Sequence, residues 1–175
     1  MAETIENNVR RLIIDEQPIN PKYYERMSQL LDALIKERKQ EALEYQKYLE
    51  KIVALTKQVM DPSAGTSYPR ALDTPAKRAL YDNLGKSATL ALAVDKAIRA
   101  SRQDDWRSNA LKIKKVKLAI KAVLETQRDE AGAALAAAHA DRVVEGSPSY
   151  GPNTSEAIDA LADMLLELAK NQNEY

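Results

Sequence analysis

Apolar residues in this chain recur at helical spacing almost from end to end, and the every-second-residue alternation of a half-buried strand is nearly absent. In the first segment Ile5, Val9, Leu12 and Ile13 stand at i, i+4, i+7 and i+8, which places them on one face of a helix. Pro18 ends that helix, because proline disfavours helical geometry in the residue before it. Asn20 then offers a capping oxygen, Pro21 supplies a preset first helical residue, and a second helix starts there. The pattern predicts an all-α fold without a sheet.

The second helical pattern is long. Tyr24, Met27, Leu30, Leu31, Leu34 and Ile35 make one apolar stripe, and Tyr45, Tyr48, Leu49, Ile52, Val53 and Val59 make another. Between them lies Lys36-Glu37-Arg38-Lys39-Gln40-Glu41, polar all round and free of helix breakers. Pro21–Gln58 therefore reads either as one helix running on through solvent or as two that meet near Gln40. Asp61–Arg70 is a Pro/Gly/Ser loop. Thr74-Pro75 opens the next helix, Gly85 closes it, Ser87 caps another, and Ser108 or Asn109 caps a helix through Leu124. Arg128–Val144 is alanine-rich and helical by propensity, Gly146–Asn153 is a second loop, and Ile158, Leu161, Leu165 and Leu168 mark a final amphipathic helix.

A chain of 175 residues fits one domain. We expect a single helical domain over 1–175, with long, hairpin-like helices in 1–60 and a helical middle with a basic helix in 71–124. An alanine-rich segment and loop follow in 125–153, and a terminal helix in 154–175.

Composition removes several function classes. Lysine plus arginine equals aspartate plus glutamate at 26 each, which argues against a wholesale nucleic-acid or membrane-surface binder. There is no cysteine, hence no disulfide, thiolate metal site or cysteine nucleophile. His139 is the only histidine, so a multi-histidine metal site is excluded, and a lone histidine in an alanine-rich helix reads as a surface or filler residue. No apolar run approaches the ~20 residues that span a bilayer, and a cytoplasmic protein without membrane partners is expected.

Three groups of residues imitate catalytic motifs. Leu12-Ile13-Ile14-Asp15-Glu16 has the look of an acidic nucleotide-binding motif, and Gly85-Lys86-Ser87 that of the end of a phosphate loop. Such a loop needs glycine five residues before Gly85, where bare backbone curls around phosphate, and position 80 is Leu80. Asp32 with Glu37-Arg38-Lys39 imitates a nuclease centre, but these residues share the polar part of one helical pattern rather than converging from a strand and its neighbours. No catalytic, cofactor-binding or metal-ligating residue is assigned.

The strongest local signal is charge. From Lys96 to Lys121 nine bases (Lys96, Arg99, Arg102, Arg107, Lys112, Lys114, Lys115, Lys117 and Lys121) face only Asp104 and Asp105, a local excess of +7 in a neutral chain. On a helical wheel Ile113, Val116, Ile120, Val123 and Leu124 form the core face. Lys114, Lys117 and Lys121 share a neighbouring stripe, and Lys112 and Lys115 flank the other side. Leu111 and Leu118 point roughly away from the core and suggest a second packing surface. The run reads either as a solvated face pairing with acidic helices of its own domain or as a contact for DNA phosphates or an acidic protein. Trp106, the only tryptophan, reads either as a plug that anchors its connector or as an exposed partner anchor.

Several blocks resemble a known family. ENNVRRLIIDEQPINPKYYERMSQLLDALIKER, YLEKIVAL, TPAKRALYDNLG, DDWRSNALKIKKVKLAIK and the final ELAKNQNEY look like the C-terminal region of type I restriction enzyme R subunits, in family order over most of Glu3–Tyr175. Gln127–Asn153 departs from that pattern in being longer and more alanine-rich. The resemblance implies a piece of a larger subunit with an N-terminal nuclease and an ATP-driven DNA-translocating motor. None of those catalytic motifs lies in these residues, so ATP and Mg are expected in the parent subunit only. It implies a non-catalytic helical part that docks onto the methyltransferase and specificity subunits. The expected contacts are Lys112, Lys114, Lys115, Lys117, Lys121, Leu111, Leu118 and Trp106. The alternative is a helical module that binds the backbone of double-stranded DNA during translocation.

Overall fold

The computed structural model describes residues 2–40, 44–63, 67–140 and 155–175. The described residues form eight α-helices and one 3-10 turn, with no strand among them. Contacts divide the chain into two compact units, Met1–Tyr68 and Pro69–Tyr175. The division falls inside the proline-rich loop, where neither neighbouring apolar stripe continues.

The first unit is a three-helix bundle of α1 (Ala2–Glu16), α2 (Pro21–Lys39) and α3 (Tyr45–Met60). Asn20 caps α2 by accepting from the Tyr23 amide, with Pro21 at the first position, as its sequence predicts. The long pattern is thus two helices, α2 ending at Lys39 and α3 starting at Tyr45. Ion pairs from Arg10 to Asp32 and from Arg38 to Glu6 make α1 antiparallel to α2. A hydrogen bond from the Tyr23 hydroxyl to the Gln58 carbonyl and an ion pair of Lys51 with Glu37 make α3 antiparallel to α2.

The core of this bundle is Val9, Ile13, Tyr23, Tyr24, Met27, Leu31, Leu34, Tyr48, Ile52, Leu55 and Val59. Full burial of a side chain such as Leu31 or Ile52 contributes roughly 1.5–3 kcal/mol. The sequence stripes are shifted slightly from this core. Leu30, Tyr45 and Val53 are exposed, and Tyr23 and Leu55 take core positions.

The second unit contains α4 (Pro75–Asn83), α5 (Ala88–Ser101), a 3-10 turn (Trp106–Ser108), α6 (Ala110–Thr126), α7 (Arg128–Ala140) and α8 (Ser155–Lys170). Thr74, Ser87 and Asn109 cap α4, α5 and α6 by accepting from amides of the first turn. Gly85 lies just past α4 with φ 61°, and the Lys86 amide reaches back to the Tyr81 carbonyl at 3.0 Å. Only a residue without Cβ occupies that left-handed position at no steric cost. Gly85 and Ser87 therefore punctuate two helices, and the phosphate-loop imitation is explained by backbone geometry.

Helix α6 lies at the centre, contacting α5, α7, α8 and the 3-10 turn. Its buried face is Val116, Ile120 and Leu124. The opposing face of α8 is Ile158, Leu161, Ala162, Leu165, Leu166, Leu168 and Ala169. The alanine-rich stretch is helical over Arg128–Ala140, and the rest of it, with the whole of the second loop, lies outside the described residues. So does the side chain of His139.

A candidate docking ridge on helix α6

Asn109 sets the register of α6, and with it the direction of every side chain the sequence singles out. With Val116, Ile120 and Leu124 turned inward, residues three to four positions apart on the far side share one exposed stripe. That stripe carries Leu111, Lys114, Lys115 and Leu118, at i, i+3, i+4 and i+7. Leu111 is 79% and Leu118 55% exposed, in keeping with their outward position on the wheel. Neither Lys114 nor Lys115 has an ion-pair partner among the described residues.

Six of the seven other bases of the run are engaged inside the unit. Lys117 bridges Asp163 at 2.7 Å and Asp159 at 3.2 Å, and Lys121 meets Asp159 at 3.0 Å. These pairs show that α6 and α8 run antiparallel. Hydrogen bonding to Asp163 and then Asp159 raises the pKa of Lys117, although partial burial opposes the charge. Lys121 and then Lys117 lower that of Asp159. Lys112 donates to the Asp104 carbonyl at 2.7 Å. Arg102 donates to the Glu174 carbonyl and Arg107 to the Gln172 carbonyl, while Arg99 holds the carboxylates of Asp95 and Glu174. Six of the nine bases thus have partners within their own unit, carboxylates for Arg99, Lys117 and Lys121 and backbone carbonyls for Arg102, Arg107 and Lys112.

Of its two readings, Trp106 takes that of the buried plug rather than the exposed anchor. It is 2% exposed, its indole N–H donates to the Tyr175 carbonyl at 3.0 Å, and the Arg107 guanidinium lies 5.3 Å from its ring. It is the plug that fixes the connector, because a buried indole N–H needs an acceptor and finds one there. Lys117 and Lys121 also leave the set of freely available contacts, since using them outside would break the α6–α8 clamp. The ridge that remains is Leu111, Lys114, Lys115 and Leu118.

The imitated nuclease residues have structural roles as well. Asp32 pairs with Arg10, Glu37 with Lys51, and Arg38 with Glu6, so each faces a neighbouring helix of the bundle. Among the described residues no group of three His, Cys, Asp or Glu side chains could hold a metal ion, and no helix is long and apolar enough to cross a membrane. An open apolar groove of about 280 Å³ lies in the first unit, lined by Leu30, Ala33, Leu34, Ala54 and Leu55. Its flanking charges, Glu37 and Lys51, satisfy each other at 2.8 Å.

Sequence reasoning missed two buried acids, Glu6 and Asp95, and the segment that follows α8. The acids had a signal. Glu6 precedes Val9 and Ile13 at i+3 and i+7, and Asp95 lies between Val94 and Ile98, so each occupies an apolar face and demands a partner. Compared with known proteins, the chain matches no family model, no curated protein and no solved structure.

Proposed function

We propose that this chain is a non-catalytic helical assembly module. In this reading it docks an ATP-dependent DNA translocase and endonuclease subunit onto a methyltransferase–specificity core. The family resemblance of its sequence blocks supplies the partners. One structural observation supports a docking role: the solvent-facing ridge in which Leu111 and Leu118 flank Lys114 and Lys115. Two exposed leucines two helical turns apart, with unpaired bases between them, suit an apolar partner surface fringed by carboxylates. The groove of the first unit offers apolar area with its charges already satisfied, so it carries no comparable electrostatic demand.

The test is binding to the assembled methyltransferase–specificity core. Wild-type chain should co-elute with the core at micromolar concentration, and Leu111→Asp with Leu118→Asp should abolish co-elution while the helical circular dichroism stays unchanged. Co-elution that survives both substitutions would remove the ridge from the interface.

DNA is the second reading, and the same lysines favour it to a limited degree. Each neutralised phosphate contributes a slope of about −0.9 to the logarithm of affinity against the logarithm of salt. With Lys114 and Lys115 as the unpaired bases of the ridge, a slope near −2 is expected, too shallow for tight duplex binding at physiological salt. A measured slope steeper than about −5 would reverse this preference.

A further inference from the structure

The geometry points to a peptide-recognition cleft in the second unit, at which Gln172–Tyr175 is the resident ligand and which a separate peptide of the same chemistry can fill. This inference is independent of the α6 ridge. The segment follows α8 without continuing its helix, and it is held mainly by donors from other elements. Three of them address its backbone: Arg107 donates to the Gln172 carbonyl, Arg102 to the Glu174 carbonyl, and the Trp106 indole to the Tyr175 carbonyl. Two side chains are read individually. Glu174 accepts from the Ala76 amide in the first turn of α4 at 3.2 Å and pairs with Arg99. The Tyr175 hydroxyl donates to Oδ1 of buried Asp95 at 2.6 Å, and the Arg99 guanidinium lies 5.2 Å from its ring.

Backbone capture for affinity, with pockets for chosen side chains, is how folded domains read extended peptides. Gln172 and Tyr175 are 3% and 4% exposed, so the occupant is sunk into the surface rather than laid across it. The cleft also exceeds its occupant. A polar recess of about 480 Å³ opens beside Tyr175, bounded by Arg99, Arg102, Gln103, Asp104 and Arg107. The chemistry it selects is an acidic residue followed by tyrosine. Glutamate satisfies a free helix-start amide and an arginine together, and the phenol satisfies the one carboxylate oriented toward it.

The experiment uses the full chain with Glu174→Ala and Tyr175→Ala, and a synthetic peptide of the sequence Lys-Asn-Gln-Asn-Glu-Tyr as probe. Trp106, the only tryptophan, reports occupancy through its emission. The variant should emit at longer wavelength than wild type, and the peptide should return the emission to the wild-type position. A peptide ending in phenylalanine should need about ten-fold more, the loss of one hydrogen bond to a charged acceptor. An unshifted variant overturns the inference, as does a shift that about 1 mM peptide leaves in place. Should the double variant lose its helical circular dichroism, Tyr175→Phe takes its place in the same titration, judged by the same reversal.

Discussion

The Arg38 guanidinium of α2 donates to both oxygens of Glu6 in α1, at 2.7 and 3.1 Å, and the Tyr48 hydroxyl of α3 closes on the same carboxylate at 2.8 Å. One buried acid therefore ties all three helices of the first unit. Removing the phenol oxygen with Tyr48→Phe should cost about 1–2 kcal/mol, because Arg38 still satisfies Glu6. Glu6→Ala should cost more, since it strands a half-buried arginine and the phenol together. Urea denaturation of both variants checks the order, and a Glu6→Ala chain as stable as wild type would refute it.

The same carboxylate sets an acid limit. Burial opposes its ionisation, but hydrogen bonds from Arg38 and Tyr48 outweigh that and lower its pKa. A depressed folded-state pKa adds stability above the ordinary glutamate value of about 4.3, lost as pH falls through the lower folded value. Stability of the first unit should therefore drop below about pH 4, and Glu6→Gln should flatten that dependence. At the alkaline end, burial, with Glu16 and Tyr23 adding to it, pushes Tyr24 up to about 12. Ultraviolet titration should show its phenol ionising well above the ordinary tyrosine value of about 10.

Trp106 should emit as a buried indole and resist quenching by iodide. Trp106→Ala should cost about 3–5 kcal/mol, the range for deleting a large aromatic core residue. Trp106→Phe keeps most of the packing but leaves the Tyr175 carbonyl without its indole donor, and should cost about 1–2 kcal/mol. Thermal melts of the two variants test this ranking.

Neighbouring lysines on α6 should behave oppositely. Lys114→Glu should spare thermal stability and weaken association with the core. Lys117→Glu should lower stability, because it faces Asp159 and Asp163 with a third acid. Leu111→Asp and Leu118→Asp should change stability by less than about 0.5 kcal/mol, as exposed substitutions do. Melting temperatures measured beside pull-down efficiency separate the two classes.

Local grammar made most of the architecture legible. Asn20-Pro21, Thr74-Pro75, Gly85, Ser87 and Asn109 punctuate the helices where their chemistry predicts, because caps and proline act within one turn. The outward direction of Leu111 and Leu118 was legible for the same reason. What escaped was long-range. The division into two units and the identity of the partners, Asp159 and Asp163 for Lys117 and Tyr175 for Trp106, depend on residues tens of positions away. Charge counted along a window misses acids that arrive from another helix, as Asp159 and Asp163 do.

The bond from Trp106 to the Tyr175 carbonyl spans 69 positions. That distance has a consequence for synthesis. At roughly 5–20 residues per second, the ribosome needs roughly 3–14 s to deliver the carbonyl after the indole. The helices of the first unit, which ends at Tyr68, are already complete by then. The α4 and α6 faces that await α8 stay uncovered throughout that interval, since a nonlocal closure cannot begin before its last element exists. A nascent chain halted between Thr126 and Ser155 would thus carry a finished bundle joined to an open one, and the open one is where a chaperone would engage.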